Sequence, residues 1–218
     1  MKSTGHRVGC LAVILSAMTL CSSVSIAGAP DRPGVPQGAA APDPRRDMIT
    51  VLPASGPHPS LGDHARLFDR FVGTWDCAYA TYAADGRVSR SQGEVIFGWI
   101  IDGRALQDIW ITYPRGASTE REIGTSVRYY DAKLGQWRVV WVYPMAGRVV
   151  ILSGGAVKDR IVLNNQESDG SRRRWSFNDI RPDSFVWRNQ KSTDGGKTWK
   201  LTEEHHMTRR TDVGRGRR

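Results

Sequence analysis

The sequence predicts an all-β protein, an antiparallel up-and-down β-barrel of about ten strands with one short N-terminal helix. Apolar and polar residues alternate with a period of two over much of residues 73–210, which is typical of half-buried strands. Turn sequences rich in glycine interrupt this alternation at short intervals, and no long crossover separates one strand from the next. Consecutive hairpins of this kind favour a closed antiparallel barrel.

The first 60 residues are predicted to lie outside the barrel. Residues 1–27 have the pattern of a secretory signal peptide, because an apolar run follows Lys2 and Arg7 and ends in small residues. This pattern predicts a secreted or periplasmic protein with no transmembrane span in the mature chain. Residues 28–60 are rich in Pro, Ala and Gly and lack a hydrophobic period, so we expect a disordered linker.

A short helix is expected where the predicted barrel domain, residues 61–210, begins. Ser60 is a candidate N-cap, apolar residues then recur at helical spacing, and Gly73 ends the helix. Turn residues bound each of the strands that follow. The strands are predicted over residues 75–83, 88–101, 104–113, 123–130, 136–143, 148–152 and 160–164, with three more within 173–210.

The net charge of +9 suggests an anionic partner until its distribution is considered. Part of it belongs to the predicted signal peptide and part to residues 211–218, which we expect to form a basic flexible tail. The cluster Arg172–Arg174 lies on a predicted strand, so its members point to opposite faces. Because no nucleic-acid-binding motif accompanies the charge, specific nucleic-acid recognition is not predicted.

One motif connects the chain to a known fold. Phe71–Trp75 reads Phe-Val-Gly-Thr-Trp and resembles the Gly-x-Trp opening of lipocalin-like (calycin) barrels. The resemblance implies that Trp75 closes one end of the barrel. It also implies that an arginine late in the last strand, Arg209 or Arg210, lies across the indole. Further stretches resemble a bacterial group of uncharacterised lipocalin-like domains, and that group has no settled activity. These stretches are residues 98–108, 128–141, 177–188 and 192–199.

The segment Ser192–Trp199 fits the Asp-box pattern S-x-D-x-G-x-T-W found in sialidase-type propellers. A propeller would repeat the box once per blade, and the sequence holds one copy without a blade-length repeat. We therefore interpret it as a structural hairpin, in which Asp194 bonds the turn amides and Trp199 is buried, as in the propeller boxes.

The chain contains 8 tryptophans, most of them on predicted strands. Aromatic side chains usually fill cores, but a barrel of about ten strands encloses more volume than they fill, which predicts a hollow lumen. Arg128 would need an anionic ligand or an acidic partner such as Glu203 or Asp108 if it points inward, and the sequence leaves its direction open. The predicted ligand-binding residues are Trp99, Trp110, Arg128, Trp141, Trp187, Glu203 and His205.

Strict alternation places Glu203 and His205 on one face of the last strand, together with Trp199. Two such residues are too few for a zinc site, which usually needs three protein ligands. We therefore assign neither a metal site nor a catalytic residue.

The sequence favours an exported barrel that binds a small apolar or amphipathic molecule in its lumen. One alternative is an enzyme on the same barrel, an isomerase, hydratase or hydrolase that uses Glu203 and His205 as acid and base. Another is a cell-envelope interaction module that uses the barrel exterior and the basic tail. The sequence assigns no cofactor and no oligomeric state.

Overall fold

A computed structural model describes residues 47–116 and 119–211. The predicted signal peptide, the predicted linker up to residue 46 and the basic tail from residue 212 lie outside the described residues. No helix in the described part of the chain is long and apolar enough to cross a membrane.

Strands make up most of the described chain, and their bounds lie near the predicted ones except for β7, which continues five residues beyond the predicted end at residue 152. The helices are α1 (Met48–Val51) and α2 (Arg66–Asp69), with 3-10 segments at Pro59–Ala65 and Pro144–Ala146. The strands are β1 (Pro53–Ala54), β2 (Gly73–Tyr82), β3 (Val88–Ile100), β4 (Ala105–Thr112), β5 (Glu122–Asp131), β6 (Gln136–Tyr143), β7 (Arg148–Val157), β8 (Arg160–Gln166), β9 (Arg172–Asn178), β10 (Ser184–Ser192) and β11 (Lys200–Arg209).

Strands β2 to β11 form a closed barrel in which each strand pairs antiparallel with the next one along the chain. The barrel closes where β11 returns beside β2, with Arg209 opposite Trp75 and Glu203 opposite Thr81. The prediction of an up-and-down antiparallel barrel is confirmed. Such closure leaves no long unpaired edge among these ten strands.

Residues 47–60, which fall within the predicted linker, form secondary structure and backbone contacts with the barrel. Asp47 caps α1 by accepting a hydrogen bond from the Thr50 amide at 2.9 Å, and β1 pairs with the end of β3. The His58 amide donates to the carbonyl oxygen of Gly103 at 2.9 Å. These are backbone contacts with distant residues, so a search for hydrophobic periodicity could not detect them.

The tight β3–β4 turn permits this contact because residue 103 is glycine. Gly103 has a φ of +75°, and a Cβ there would lie 2.2 Å from the Gly56 carbonyl oxygen. The predicted N-cap at Ser60 is wrong. His58 precedes the 3-10 segment, and its Nδ1 accepts from the Ser60 amide at 3.2 Å.

Trp75 seals one end of the barrel, which we call the closed end. Its indole is fully buried, and Nε1 donates to the Phe71 carbonyl oxygen at 2.7 Å. The Arg209 guanidinium lies over the indole, 4.1 Å from its centroid, and donates to the carbonyls of Arg70 and Val72. Gly73 makes room for it, since a Cβ there would lie 3.1 Å from Arg209 Nη1.

Arg210, the other candidate for this position, points elsewhere. It forms an ion pair with Asp76 on β2 and another with Glu94 on β3, the latter at 2.7 Å. The two consecutive residues therefore have different environments, because side chains alternate at the end of β11.

Candidate ligand-binding site

A cavity of about 350 Å³ lies inside the barrel. It is lined by side chains from every barrel strand except β8, whose inward residues Ile161 and Leu163 are fully buried. Ligand pockets commonly measure about 300–1,000 Å³, so this lumen suits a small molecule.

An aromatic collar surrounds the cavity. Six rings on six different strands contact each other in a closed circle, with centroid distances from 4.4 to 6.2 Å. Most neighbours meet edge to face, the geometry that aromatic quadrupoles favour. In order around the lumen, the collar consists of Tyr79, Trp110, Trp141, Trp175, Trp187 and His205.

Cross-strand register brings the collar together. His205 lies opposite Tyr79 on one side and opposite Trp187 on the other, so three of the rings form direct cross-strand pairs. Trp187 and His205 are stacked, with 28° between their planes. The remaining rings sit at inward positions on their own strands and meet across larger gaps because indoles are long.

A buried ion pair lies on the lumen wall. Arg128 points inward, and its Nη1 contacts Asp108 Oδ2; the side chains are 4% and 5% exposed. The Arg128 guanidinium also lies 5.3 Å from the Phe97 ring centroid. The sequence left open whether Arg128 points into the lumen, and the structure shows that it does, with Asp108 as its acidic partner. Neither Arg128 Nε nor Nη1 has an aligned hydrogen-bond acceptor among the described residues.

The end of the barrel opposite the closed end is called the mouth. A chain of polar side chains runs along the wall from the end of β8 to β11, on the mouth side of the collar. Arg173 donates to Glu167 Oε1 at 2.6 Å and to Asn189 Oδ1 at 3.2 Å. Asn189 then donates to Glu203 Oε1 at 3.0 Å. One side of the mouth is therefore polar and hydrogen-bonded.

His205 lies next to the end of this polar chain but is not hydrogen-bonded to it. It is 8% exposed, and its Nε2 lies 3.7 Å from Glu203 Oε2, which is longer than a hydrogen bond. Burial lowers the pKa of His205 to about 3. The imidazole is therefore neutral at pH 7, and it serves as an aromatic member of the collar.

No family model matches the chain, and no curated protein matches it. Several solved structures are similar, and two of them serve as examples. One is Rv2717c from M. tuberculosis, with 17% identity and a TM-score of 0.49, covering 71% of this chain and 99% of that one. The other is the S-type phycobiliprotein lyase CPES from Guillardia theta, with 11% identity and a TM-score of 0.49, covering 67% of this chain and 92% of that one.

Three features of the structure bear on its fold family. They are the closed meander of ten strands, the Gly-x-Trp start of β2 and the position of Arg209 across Trp75. In these features the domain resembles the lipocalin-like (calycin) barrels. Its fold agrees with the resemblance on which the prediction was based.

Most of the predicted ligand-binding residues line the lumen of the barrel, and Trp99 does not. Its indole is 3% exposed and donates to Asp69 Oδ1 of α2 at 2.8 Å. Trp99 lies near the end of β3, opposite β1 and β4, at the level where α2 packs under the barrel. The residues that do line the cavity are Trp110, Arg128, Trp141, Trp187, Glu203 and His205.

The prediction that Trp199 shares a face with Glu203 and His205 is wrong. A bulge shifts the pairing of β10 with β11 between Asn189 and Gln190, which interrupts strict alternation. Trp199 precedes β11 and packs against Arg174, with the guanidinium 3.8 Å from the indole centroid. It is therefore on the outer side of the barrel.

The Asp-box turn is held by Asp194. Its carboxylate accepts from the Lys197 and Thr198 amides at 3.0 Å and from the Thr198 hydroxyl at 2.5 Å. These hydrogen bonds hold the pKa of Asp194 well below its usual range, and the bond from the Thr198 hydroxyl has the largest effect. The side chain is occupied by the hairpin that joins β10 and β11.

The lumen residues that were not assigned from the sequence include Tyr79, Trp175 and Asn189. Tyr79 lies two and four positions after Cys77 and Trp75 on the inner face of β2, so extending the alternation from Trp75 would have found it. Its hydroxyl donates to the Ile111 carbonyl oxygen at 3.2 Å. Burial raises the pKa of Tyr79 far above its usual value, so the hydroxyl stays protonated.

Proposed function

We propose that this lipocalin-like barrel binds one small apolar or amphipathic molecule in its lumen. The observation that carries the proposal is the aromatic collar, which surrounds a cavity of about 350 Å³. Burial of an apolar ligand body against aromatic faces is favourable because it removes apolar surface from water. The collar also supplies flat surfaces for an aromatic or conjugated ligand.

The polar groups of the lumen favour an amphipathic ligand over a purely apolar one. Arg128 and Asp108 are charged groups of opposite sign, and Glu203 with Asn189 provides a second polar position. A ligand that seats its apolar body inside the collar can place a polar group beside either pair. A few such groups are what fixes ligand orientation in a mostly apolar pocket.

We further propose that the protein is exported, on the basis of the signal-peptide pattern in residues 1–27. Binding would then take place in the periplasm or outside the cell. N-terminal sequencing of the protein from its own host tests this: a mature chain that begins near residue 28 supports export, and an intact Met1 contradicts it.

The alternative of acid and base catalysis by Glu203 and His205 receives less support. A group with a pKa of about 3 is a weak base at neutral pH, and it is almost never protonated to act as an acid. The separation of 3.7 Å between His205 Nε2 and Glu203 Oε2 also lacks the hydrogen bond of a coupled pair.

Neighbouring residues on β7 offer a matched test of the proposed site. Val150 is 5% exposed and lines the cavity, whereas Val149 is 61% exposed on the outer face. Val150→Trp should fill the lumen, and Val149→Trp should leave it unchanged. The measurement is fluorescence titration with the apolar probe N-phenyl-1-naphthylamine.

We expect the wild-type chain and Val149→Trp to bind the probe with the same affinity and Val150→Trp to bind at least tenfold more weakly. Urea unfolding of both variants separates blocked binding from lost folding, since overpacking costs about 1–3 kcal/mol. Equal probe binding by the two folded variants would show that the lumen is not the binding site.

A further inference from the structure

A groove on the outer surface of the barrel is lined with arginines. It crosses β7 to β10, measures about 430 Å³, and is separate from the lumen. Arg160 on β8, Arg174 on β9 and Arg188 on β10 all contribute to it, and no carboxylate is among its described lining residues. We call this surface the arginine groove.

Strand register places polar residues at the floor of the groove. Ser176 lies in the middle of the surface, opposite Val162 of β8 and Arg188 of β10. It is 3% exposed, and Asn178 beside it is 4% exposed. Asn178 Nδ2 donates to Ser176 Oγ at 3.0 Å, so the hydroxyl oxygen acts as an acceptor and keeps its own proton for donation.

The positive charge of the groove is only partly compensated. Arg188 pairs with Glu204 of β11 at 2.7 Å, but neither Arg160 nor Arg174 forms an ion pair within residues 47–116 and 119–211. Burial and, after it, the charge of Arg160 lower the pKa of Arg174. Arginines that repel each other without a carboxylate between them are stabilised by a bound anion.

Arg174 is held in place at the edge of the groove. Its guanidinium lies over Trp199, 3.8 Å from the ring centroid, and its Nε donates to Asn164 Oδ1 at 3.1 Å. A guanidinium fixed in this way loses less conformational freedom when it binds a ligand than a free surface arginine does. Its remaining N–H groups are the ones that can contact an anion.

We propose that the arginine groove binds a phosphomonoester group. A guanidinium group presents paired N–H donors that match the spacing of phosphate oxygens. Two or three guanidinium groups also neutralise the charge of a phosphate dianion. Ser176 adds a neutral donor at the floor. The phosphate can belong to a soluble metabolite or to a phosphomonoester lipid headgroup, since both present the same chemistry.

The test uses the whole chain with Arg160→Gln and Arg174→Gln combined. The matched control combines Arg138→Gln and Arg121→Gln, which removes the same charge from arginines outside the groove. Inorganic phosphate is titrated at constant ionic strength and followed by calorimetry. We expect saturable binding by the wild-type chain, at least tenfold weaker binding by the groove variant and less than twofold change in the control.

A second arm identifies the source of the phosphate. The wild-type chain and both variants are sedimented with vesicles of phosphatidylcholine alone or with phosphatidic acid. Co-sedimentation that only the groove variant loses supports a lipid headgroup, whereas phosphate binding without vesicle binding supports a soluble phosphomonoester. Absence of saturable phosphate binding, or equal weakening in the two variants, overturns the proposal.

Discussion

The closed end and the lumen of this barrel use the same residue types for different purposes. At the closed end, Trp75 is fully buried and its indole N–H is bonded to a carbonyl. In the collar, the buried Nε1 atoms of Trp110 and Trp175 have no hydrogen-bond acceptor among the described residues. The closed end is thus fully packed, whereas the collar has polar groups without partners and free volume beside it.

This difference indicates a division of roles along the barrel axis. A site that is packed and fully hydrogen-bonded stabilises the fold, whereas the spare volume and unmatched donors of the lumen cost some stability and are the features that the proposed ligand site would use. Substitutions at the two levels should therefore separate stability from binding.

The largest expected effect is at the closed end. Trp75→Ala should lower the free energy of unfolding by about 3–5 kcal/mol, because it opens a large cavity among packed rings. Trp187→Ala in the half-buried collar should cost only about 1–2 kcal/mol, since less surface is lost from burial. Urea unfolding measures both, and equal losses would contradict the proposed division.

The Arg128–Asp108 pair makes the lumen wall sensitive to charge. Arg128→Met should cost about 3 kcal/mol in urea unfolding, because it leaves the Asp108 carboxylate buried without a partner. Asp108→Leu combined with Arg128→Met should recover most of this loss. If the double variant is no more stable than Arg128→Met alone, the pair is not the reason for the loss.

His205 should make stability depend on pH. Its pKa is about 3 in the folded chain, against the ordinary histidine value of 6.5 in the unfolded chain, so the unfolded state binds the proton more tightly. Stability should therefore fall as the pH drops below about 6.5, by up to about 1.4 kcal/mol per pH unit. Thermal unfolding from pH 8 to pH 4.5 measures this slope.

The matched variants for this experiment are His205→Gln and His206→Gln. His205→Gln should reduce the slope, whereas His206→Gln, whose side chain is 59% exposed, should retain it. An unchanged slope in His205→Gln would assign the pH dependence to other groups.

The smallest effect is expected at Arg210. Its ion pairs with Asp76 and Glu94 lie at the surface, so Arg210→Gln should cost less than about 1 kcal/mol. Arg209→Gln should cost more, because it also removes the cation over Trp75 and the hydrogen bonds to the backbone carbonyls that precede β2. Similar losses in urea unfolding would mean that Arg209 adds nothing to the closed end.

The fold could be predicted because it depends on local patterns. Alternation and glycine turns located the barrel strands, and the Gly-x-Trp resemblance pointed to Trp75 and an arginine partner. The order of residues 47–60 could not be predicted, because it depends on backbone pairing with β3 and with the β3–β4 turn.

The candidate site was predictable only as a set of inward residues. Alternation identified Trp110, Trp141 and Trp187, but it could not place Trp99 below the lumen or detect the bulge that separates Trp199 from the lumen face. The choice of Asp108 as the partner of Arg128 follows from the pairing of β4 with β5, which composition and spacing do not fix.

Native mass spectrometry of the protein purified from its own host tests the central claim most directly. The lumen account predicts one small molecule per wild-type chain, the same molecule on Val149→Trp, and none on Val150→Trp. A wild-type chain that carries no ligand, or a ligand that remains bound to folded Val150→Trp, would contradict it.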